Sequence, residues 1–289
     1  MHDLLKQLLS NGTVVTDGAW GTQMQARGLP IGEAPDPWNL SNPDKVEEVA
    51  CAYVEAGSQI ILTNTFGASS VCLDRHGMAD KAFAINREGA AISKRAAQGR
   101  AKVFASIGPS GKMLMMGQTT EEELQASFEE QARALAEGGA DALIVETMSD
   151  PNEARIAVAA AKQTGLPVVA CMVFDAGKNK DRTMMGTTPE EAAELMCKAG
   201  ADVIGSNCGQ GIEGFIGLCR RLKSACDKPI WIKANAGLPE LVNGEAVYTT
   251  TPQQFAQHIG ALVNAGASFV GGCCGTNPDF IRAVRETLA

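Results

Sequence analysis

The sequence predicts an α/β fold, a single closed (β/α)8 barrel of the TIM-barrel class. Eight short apolar runs rich in β-branched residues alternate with amphipathic segments of helical length. Their spacing of about 30–40 residues per unit fits a barrel whose usual size is about 250 residues. Most runs are apolar nearly throughout, which is typical of parallel strands covered on both faces. An open doubly wound sheet is the alternative, but eight regular units favour closure.

The predicted strands follow one another along the whole chain, and no linker rich in proline, serine or charge divides it. We therefore expect residues 1–289 to form one domain. The predicted strands are Thr13–Ala19, Ile60–Phe66, Val103–Pro109, Ala142–Met148, Pro167–Phe174, Val203–Gly209, Pro229–Ala236 and Phe269–Gly275.

The segments between the strands carry signals for the starts and ends of helices. One apolar face of the first is formed by Val46, Val49, Ala50, Tyr53 and Val54. A capping side chain followed by proline begins several helices, at Asn42-Pro43, Asp150-Pro151, Thr188-Pro189, Thr251-Pro252 and Asn277-Pro278. Glycine permits a left-handed C-cap at Gly57, Gly139, Gly200 and Gly266. The segment Gly21–Asn39 is predicted to be a long loop with no clear helix.

The composition argues against several classes of function. The net charge of −8 is spread along the chain without a basic stripe, so we expect no nucleic-acid partner. The first residues lack the features of a signal peptide, and no apolar stretch approaches the roughly 20 residues that span a bilayer. We expect a cytoplasmic protein without membrane contact. Its nine cysteines then indicate reduced thiols, metal binding or catalysis rather than disulfides.

Polar residues gather at the carboxyl ends of the predicted strands, where barrels of this class carry their chemistry. Neighbouring side chains on a strand point to opposite faces, so Cys273 and Cys274 can share one target only if the chain bends there. The flanking glycines permit such a bend. The strand-end groups are Asp17-Gly18-Ala19, Asn64-Thr65, Ser106, Glu146-Thr147, Asn207-Cys208, Asn235 and Cys273-Cys274.

Cys208, Cys273 and Cys274 are the strongest candidates for chemistry. They could be small apolar residues that fill space, or a redox pair, but their glycine-rich surroundings and the absence of a Cys-X-X-Cys spacing favour metal. Soft thiolates suit zinc, and three of them leave a fourth position open. Three anionic ligands make zinc poor at activating water but able to hold a further thiol as thiolate. The pattern therefore favours alkyl transfer to sulfur.

Asp17 and Glu146 are the next candidates. Each could merely cap the helix that follows its strand, but both could instead accept hydrogen bonds from a substrate ammonium group. The turn at Gly18 and Ala19 would offer main-chain N–H groups to a substrate carboxylate, which together describes an amino acid whose thiol lies on zinc. The remaining cysteines are expected to fill the core, with Cys72 left open. Two tryptophans of the first loop could wall the cavity or simply pack, namely Trp20 and Trp38.

Seven of these strand-end motifs together resemble those of the homocysteine S-methyltransferase family, essentially from end to end. They are Asp17–Thr22, Thr63–Phe66, Ser106–Pro109, Glu146-Thr147, Asn207-Cys208, Asn235–Pro239 and Gly271–Thr276. The resemblance implies a (β/α)8 barrel with zinc held by Cys208, Cys273 and Cys274. It also implies homocysteine as the methyl acceptor, with Asp17 and Glu146 near its amino group. We expect the substrate site to include Gly18, Ala19, Asn64, Thr65 and Asn235 as well.

The family divides by methyl donor, and the chain is most similar to the cobalamin-dependent branch, especially at Asn235–Pro239. Gly67 stands where the betaine-dependent branch has an aromatic residue, which argues against betaine. Two positions depart from the family pattern, Trp20 for an aliphatic residue and Ala234 for proline. The resemblance implies a zinc-dependent enzyme that makes methionine, with a separate methyl-corrinoid protein or a small molecule as donor. The alternatives are a different thiol acceptor in a corrinoid-linked demethylation pathway, or a non-catalytic zinc-binding partner of a corrinoid protein.

Overall fold

The apolar runs form strands in the computed structural model, which describes residues 1–242 and 245–289. In chain order the strands are β1 (Val14–Val15), β2 (Ile60–Ile61), β3 (Lys102–Ile107), β4 (Ala142–Met148), β5 (Val168–Met172), β6 (Val203–Gly211), β7 (Ile230–Asn235), β8 (Glu240–Val242), β9 (Glu245–Val247) and β10 (Ala267–Gly272). Eight of them form one parallel sheet in the order β1-β10-β7-β6-β5-β4-β3-β2, while β8 and β9 form a separate antiparallel hairpin. The predicted (β/α)8 barrel is confirmed. That residues 1–289 form one domain stays a prediction.

The barrel closes at a seam between β1 and β2, whose ladders are only two residues long. Thr16 and Ile60 form a parallel bridge there, and the Gln59 N–H donates to the Val15 carbonyl at 2.8 Å. Side chains supply further bonds. The Gln59 Oε1 accepts the Val15 N–H at 3.0 Å, and the Asp17 Oδ2 accepts the Leu62 N–H at 2.7 Å. The closure therefore depends on a carboxylate as well as on backbone pairing.

Helices alternate with the barrel strands. They are α1 (Asp3–Leu9), α2 (Gly21–Gln25), α3 (Trp38–Ser41), α4 (Pro43–Glu55), α5 (Ser70–Asp74), α6 (Ala82–Ala97), α7 (Glu121–Glu137), α8 (Pro151–Lys162), α9 (Pro189–Lys198), α10 (Ile212–Ala225), α11 (Pro252–Ala256), α12 (Ile259–Asn264) and α13 (Pro278–Thr287), with 3-10 turns at Ala79–Lys81 and Leu114–Met116. The expectation of a loop without a helix at Gly21–Asn39 was wrong, because α2 lies inside it and α3 begins at its end. In the described part of the chain, no helix is both long and apolar enough to cross a membrane.

The predicted helix boundaries are confirmed at all five proline starts. Thr188 and Thr251 form capping boxes with Glu191 and Gln254, while Asp150 accepts the Asn152 N–H at 2.8 Å. Asn42 makes no side-chain cap bond. The four exit glycines all have positive φ, at Gly57, Gly139, Gly200 and Gly266, where a Cβ would be strained.

The amino-terminal end of the barrel is filled by aromatic side chains. The ring of Trp231 lies 5.8 Å from that of Phe104 and 5.3 Å from that of Phe269, centroid to centroid. Leu5 of α1 is fully buried in the same cluster. Burial of such a side chain contributes about 1.5–3 kcal/mol, so α1 closes this end, and the open end lies at the opposite rim.

Asp36 joins the first loop of the barrel to the second. Its side chain is 2 % exposed, and its Oδ1 accepts the Gly67 N–H at 2.8 Å. Burial raises the pKa of this carboxyl to about 6, although the Gly67 N–H and the charge of Arg75 oppose the rise. The ionised form is therefore destabilised in the folded protein relative to the unfolded chain.

We predict that Asp36→Asn stabilises the protein as the pH rises. A carboxyl whose folded pKa is raised loses stability between its ordinary value and the folded value, and the neutral amide avoids that loss. Relative to the unmodified protein, the free energy of unfolding of the variant should gain about 1–2 kcal/mol between about pH 5 and pH 8. Urea unfolding at several pH values measures this. Asp44→Asn, at an exposed carboxyl, is the control, and an equal gain there would contradict the prediction.

Candidate metal centre and substrate cavity

The carboxyl ends of the strands surround a cavity of about 470 Å3. Its wall contains residues from the loops after β1, β2 and β9 and from β3, β4, β6, β7 and the end of β10. Among the predicted site residues, those that line it are Gly18, Ala19, Asn64, Thr65, Glu146, Cys208, Cys273 and Cys274. Two others, Asp17 and Asn235, are buried beside the cavity rather than in its wall. The predicted strand-end residues are thus neighbours in space.

The three cysteines converge on one point of the cavity wall. Their sulfur atoms all lie within 4.8 Å of one another, and the Sγ atoms of Cys208 and Cys274 are 3.8 Å apart. Cys208 has a φ of +63° and Gly209 one of +79°, so a left-handed turn directs the Cys208 side chain toward the end of β10. This backbone is unusual for a residue other than glycine and is of a kind that often occurs at functional sites.

Glycines allow the pair Cys273-Cys274 to bend toward Cys208. A Cβ at Gly272 would lie 2.2 Å from the Thr276 Oγ1, and one at Gly275 would lie 2.2 Å from the Tyr248 ring. The Thr276 hydroxyl donates to the Cys273 carbonyl at 2.7 Å. Any larger residue at the two glycines would force the turn apart, so the glycines are a steric requirement of the cluster.

The geometry and charge of the cluster fit zinc. In a tetrahedral site with Zn–S bonds of about 2.3 Å, two sulfurs lie about 3.8 Å apart, which is the separation of Cys208 and Cys274. Hydrogen bonds from Cys273 and Cys274 lower the pKa of Cys208 to about 3, whereas the hydrogen bond with Cys208 and burial raise the pKa of Cys274 to about 12. Three adjacent thiolates repel one another, so all three ionise together only beside a cation that compensates their charge.

Asn235 offers an oxygen next to the cluster. Its side chain is 5 % exposed and helps to lower the pKa of Cys208. Within the described part of the chain its Oδ1 has no hydrogen-bond partner. A buried polar atom without a partner is costly, and a metal held by the three sulfurs would satisfy it. Asn235 is therefore a candidate for the fourth position.

Glu146 presents a carboxylate to the cavity. Its Oε1 accepts the Ser106 hydroxyl at 2.5 Å, and its Oε2 accepts the Asn207 amide at 3.1 Å. Burial raises the pKa of Glu146, while the charge of Lys233 and the Ser106 bond oppose the rise. The helix that follows β4 is capped by Asp150. Glu146 therefore does not cap that helix, which was one of the two roles that the sequence allowed it.

Asp17 is occupied by groups of the chain itself. Its Oδ1 forms an ion pair with the Lys233 Nζ, and its Oδ2 accepts the Trp20 indole N–H at 2.7 Å in addition to the Leu62 N–H. The side chain is fully buried. The ammonium group that pairs with Asp17 is thus that of Lys233. A direct contact of Asp17 with the substrate ammonium group stays a prediction.

Lys233 is a site residue that the sequence reasoning missed. It is 2 % exposed and lines the cavity. Burial lowers its pKa, but the carboxylates of Asp17 and Glu146 outweigh this effect and raise the pKa overall. The available signal was a lysine within the otherwise apolar run Ile230–Ala234, where a charge needs a buried partner.

The other predicted substrate residues are held by bonds within the chain. The Ala19 N–H donates to the Thr276 Oγ1 at 3.1 Å, and the Thr65 hydroxyl donates to the Ser106 carbonyl at 2.7 Å. The Asn64 amide donates to the Pro35 carbonyl and to the Asn39 Oδ1. These bonds fix the shape of the wall, and contact of these residues with substrate stays a prediction.

The sequence did not decide the roles of three residues, which lie in different parts of the structure: Trp20, Trp38 and Cys72. Trp20 lines the cavity, whereas Trp38 packs against the core. Cys72 is buried outside the cavity, and its Sγ accepts a hydrogen bond from the Arg75 Nη2 at 3.0 Å. Throughout the described residues, the cluster of Cys208, Cys273 and Cys274 is the one group of three or more His, Cys, Asp or Glu side chains that could hold a metal ion.

The chain is similar to known proteins over nearly its whole length. It is 31 % identical over 306 aligned residues to the methionine synthases of Mycobacterium tuberculosis and Mycobacterium leprae, covering 99 % of this chain and 25 % of each of those proteins. The chain therefore spans about a quarter of the length of these relatives. The metallated form of the homocysteine methyltransferase MmuM from Escherichia coli has the same fold, with a TM-score of 0.82, 22 % identity and coverage of 98 % of this chain and 99 % of that one.

A model of one protein family matches almost all of the barrel. The match extends over residues 14–288 and so includes every strand and all three cysteines of the cluster. The chain belongs to the homocysteine S-methyltransferase family.

Proposed function

We propose that the protein is a zinc-dependent S-methyltransferase that transfers a methyl group to the thiol of homocysteine and forms methionine. The observation that carries the proposal is the cluster of three cysteine sulfurs within 4.8 Å of one another, in a cavity that also contains the buried carboxylate of Glu146. Membership of the homocysteine S-methyltransferase family supports it. The proposed location is the cytoplasm.

Cys208, Cys273 and Cys274 would hold the zinc, with Asn235 beside them. When bound, zinc lowers the pKa of a thiol and keeps it as a thiolate near neutral pH. The residues around the cavity have two further proposed roles. They orient the amino acid so that its sulfur reaches the cluster, and the walls of the cavity limit the access of water.

Glu146 is the proposed acceptor for the substrate ammonium group. It lines the cavity, and each of its oxygens has one partner, which leaves lone pairs for a further donor. Asp17 would act indirectly, because Lys233 already pairs with it. The turn at Gly18 and Ala19 is proposed to face the substrate carboxylate. Asn64 and Thr65 would shape the wall around the substrate.

The methyl transfer needs no acid or base from the chain once the thiolate has formed. The sulfur electron pair forms the new C–S bond, and the bond from the methyl carbon to the donor breaks with its electron pair remaining on the donor. The chain therefore has to align donor and acceptor. This requirement fits a cavity whose polar side chains are already held in place by hydrogen bonds to one another.

The rim around the cavity supports a donor that is itself a protein. The βα loops and α3 carry exposed apolar side chains, which are Ile31, Leu40, Phe66, Met115, Met116, Met184, Met185 and Leu238. Exposed apolar residues on the loops of one rim fit a surface that binds another protein. The proposed donor is a separate methyl-corrinoid protein, and small methyl donors are the alternative that the assay below includes.

Zinc-loaded protein incubated with homocysteine and a panel of donors tests the proposed function. The panel contains methylcobalamin, a methylated corrinoid protein and S-methylmethionine, and methionine is measured by mass spectrometry. Formation of methionine with at least one donor is expected. Cysteine and other thiols serve as competing acceptors. Preference for another thiol would change the assigned substrate, and zinc binding without turnover would indicate a non-catalytic role.

We predict that replacing Cys208, Cys273 or Cys274 singly by Ser abolishes zinc retention without unfolding the barrel. Loss of one thiolate should leave less than about a tenth of the zinc after dialysis, while the helical circular dichroism is unchanged. Cys226→Ser, at a half-buried thiol outside the cavity, is the control and should retain zinc. Full zinc content in any of the three ligand variants would contradict the assignment.

We predict that Glu146→Gln raises the KM for homocysteine and leaves zinc in place. The change removes the charge from the ammonium contact, and a charge-assisted hydrogen bond is worth about 1.5–3 kcal/mol, or about 10- to 150-fold. Initial rates and metal analysis measure the two effects. The control is Glu153→Gln, because Glu153 is also buried but binds the Ser110 N–H away from the cavity. Equal KM values for both variants would count against an ammonium contact at Glu146.

A further inference from the structure

A buried acid and a buried base line the same cavity without pairing with each other. Glu146 and Lys233 both lie in its wall, and the charge of each shifts the pKa of the other, so the two groups are neighbours. Within the described part of the chain, Lys233 nevertheless forms its ion pair with Asp17. The oxygens of Glu146 accept hydrogen bonds from Ser106 and Asn207 instead. The cavity therefore presents two opposite charges that are close together but not bonded to each other.

The ammonium group of Lys233 has hydrogen-bond donors to spare. An ammonium group carries three N–H bonds, and across the described residues the Lys233 Nζ has one hydrogen-bond partner, the Asp17 Oδ1. A buried donor without an acceptor is costly, and more so when the group is charged. The remaining N–H bonds of Lys233 are therefore available to the occupant of the cavity, and an anionic oxygen is the acceptor that bonds them most strongly.

The turn at Gly18 and Ala19 offers a substrate carboxylate few donors of its own. Of its two main-chain N–H groups, that of Ala19 already donates to the Thr276 Oγ1 at 3.1 Å. The turn directly follows Asp17, which is the partner of the Lys233 ammonium group. A carboxylate that faces this turn would therefore lie near Lys233, which can supply both the missing donors and the opposite charge.

We propose that Lys233 binds the carboxylate of the acceptor, so that Lys233 and Glu146 together select a zwitterionic amino acid thiol and fix its orientation. The inference rests on the acceptor named in the proposed function, whose ammonium group lies at Glu146, and not on turnover. An amino acid carries its two charges on one carbon, so neighbouring partners of opposite sign match them. A thiol without the carboxylate leaves the donors of Lys233 unsatisfied, and a site built to bond a polar group rejects the analogue that lacks it.

Binding of three thiols to the zinc-loaded protein tests the inference. They are homocysteine, its analogue without the carboxylate (an aminopropanethiol) and its analogue without the ammonium group (mercaptobutyrate), and calorimetry measures each Kd. The unmodified protein should bind homocysteine about 10- to 150-fold more tightly than the aminopropanethiol, because one charge-assisted hydrogen bond is lost with the carboxylate. In Lys233→Met this preference should disappear. Binding of mercaptobutyrate should weaken in Lys233→Met but not in Glu146→Gln.

Two further variants separate carboxylate binding from closure of the barrel. Lys233→Met leaves the Asp17 carboxylate buried without its partner, which is strongly destabilising. The double variant with Asp17→Asn and Lys233→Met removes both charges, keeps an oxygen for the Leu62 N–H, and replaces the single variant if that fails to fold. Asp17→Asn alone breaks the same ion pair but keeps the ammonium group, so it should retain the preference for homocysteine over the aminopropanethiol.

Three results would overturn the inference. The first is equal binding of homocysteine and the aminopropanethiol by the unmodified protein, and the second is an unchanged preference for homocysteine when Lys233 is replaced. The third is equal weakening of all three thiols in Lys233→Met and in Asp17→Asn, which is the result expected of an ion pair with a purely structural role. A protein that binds homocysteine through Lys233 but makes no methionine with any donor would refute the proposed function alone.

Discussion

The buried ion pair between Asp17 and Lys233 connects the closure of the barrel to the cavity above it. Asp17 belongs to the seam, where the short ladders of β1 and β2 need its bond to the Leu62 N–H. Lys233 lies on β7, on the far side of β10, and faces Gly271 in the register of the two strands. A buried pair is stable only when further hydrogen bonds satisfy its atoms, and Trp20 and Leu62 supply them. The strand that leads to Cys273 and Cys274 thus lies between two elements fixed to each other.

The buried charges around the cavity are unbalanced in a way that favours cations. Of the residues that the structure describes, Asp17 and Glu146 are buried acids at this rim and Lys233 is the buried base. Three thiols adjoin them. A divalent metal and a substrate ammonium group would each bring positive charge to a place where the chain supplies too little. The carboxylate of Glu146 and the cysteine cluster would therefore suit the ammonium group and the metal-bound thiol of the proposed substrate.

The sequence was sufficient to predict the barrel and the meeting of the three cysteines, because both follow from local patterns. Apolar runs mark the strands, prolines mark the helix starts, and the topology brings strand ends together. The roles of Asp17 and Lys233 were not predictable in this way, because pairing across β10 depends on side chains distant in sequence. The short helices α2 and α3 were also missed, since helices of four or five residues depend on tertiary contacts rather than on periodicity.

The sealing of the amino-terminal end by Leu5 and the aromatic cluster has a kinetic consequence. Substrates and products of the proposed reaction would share the mouth at the opposite rim, because in the described residues the interior below the cavity is filled with side chains. A protein donor seated on that rim would cover the mouth. The acceptor must then enter before the donor docks, and the methylated product must wait until the donor departs. Turnover with such a donor follows a compulsory order, whereas a small donor imposes no such sequence.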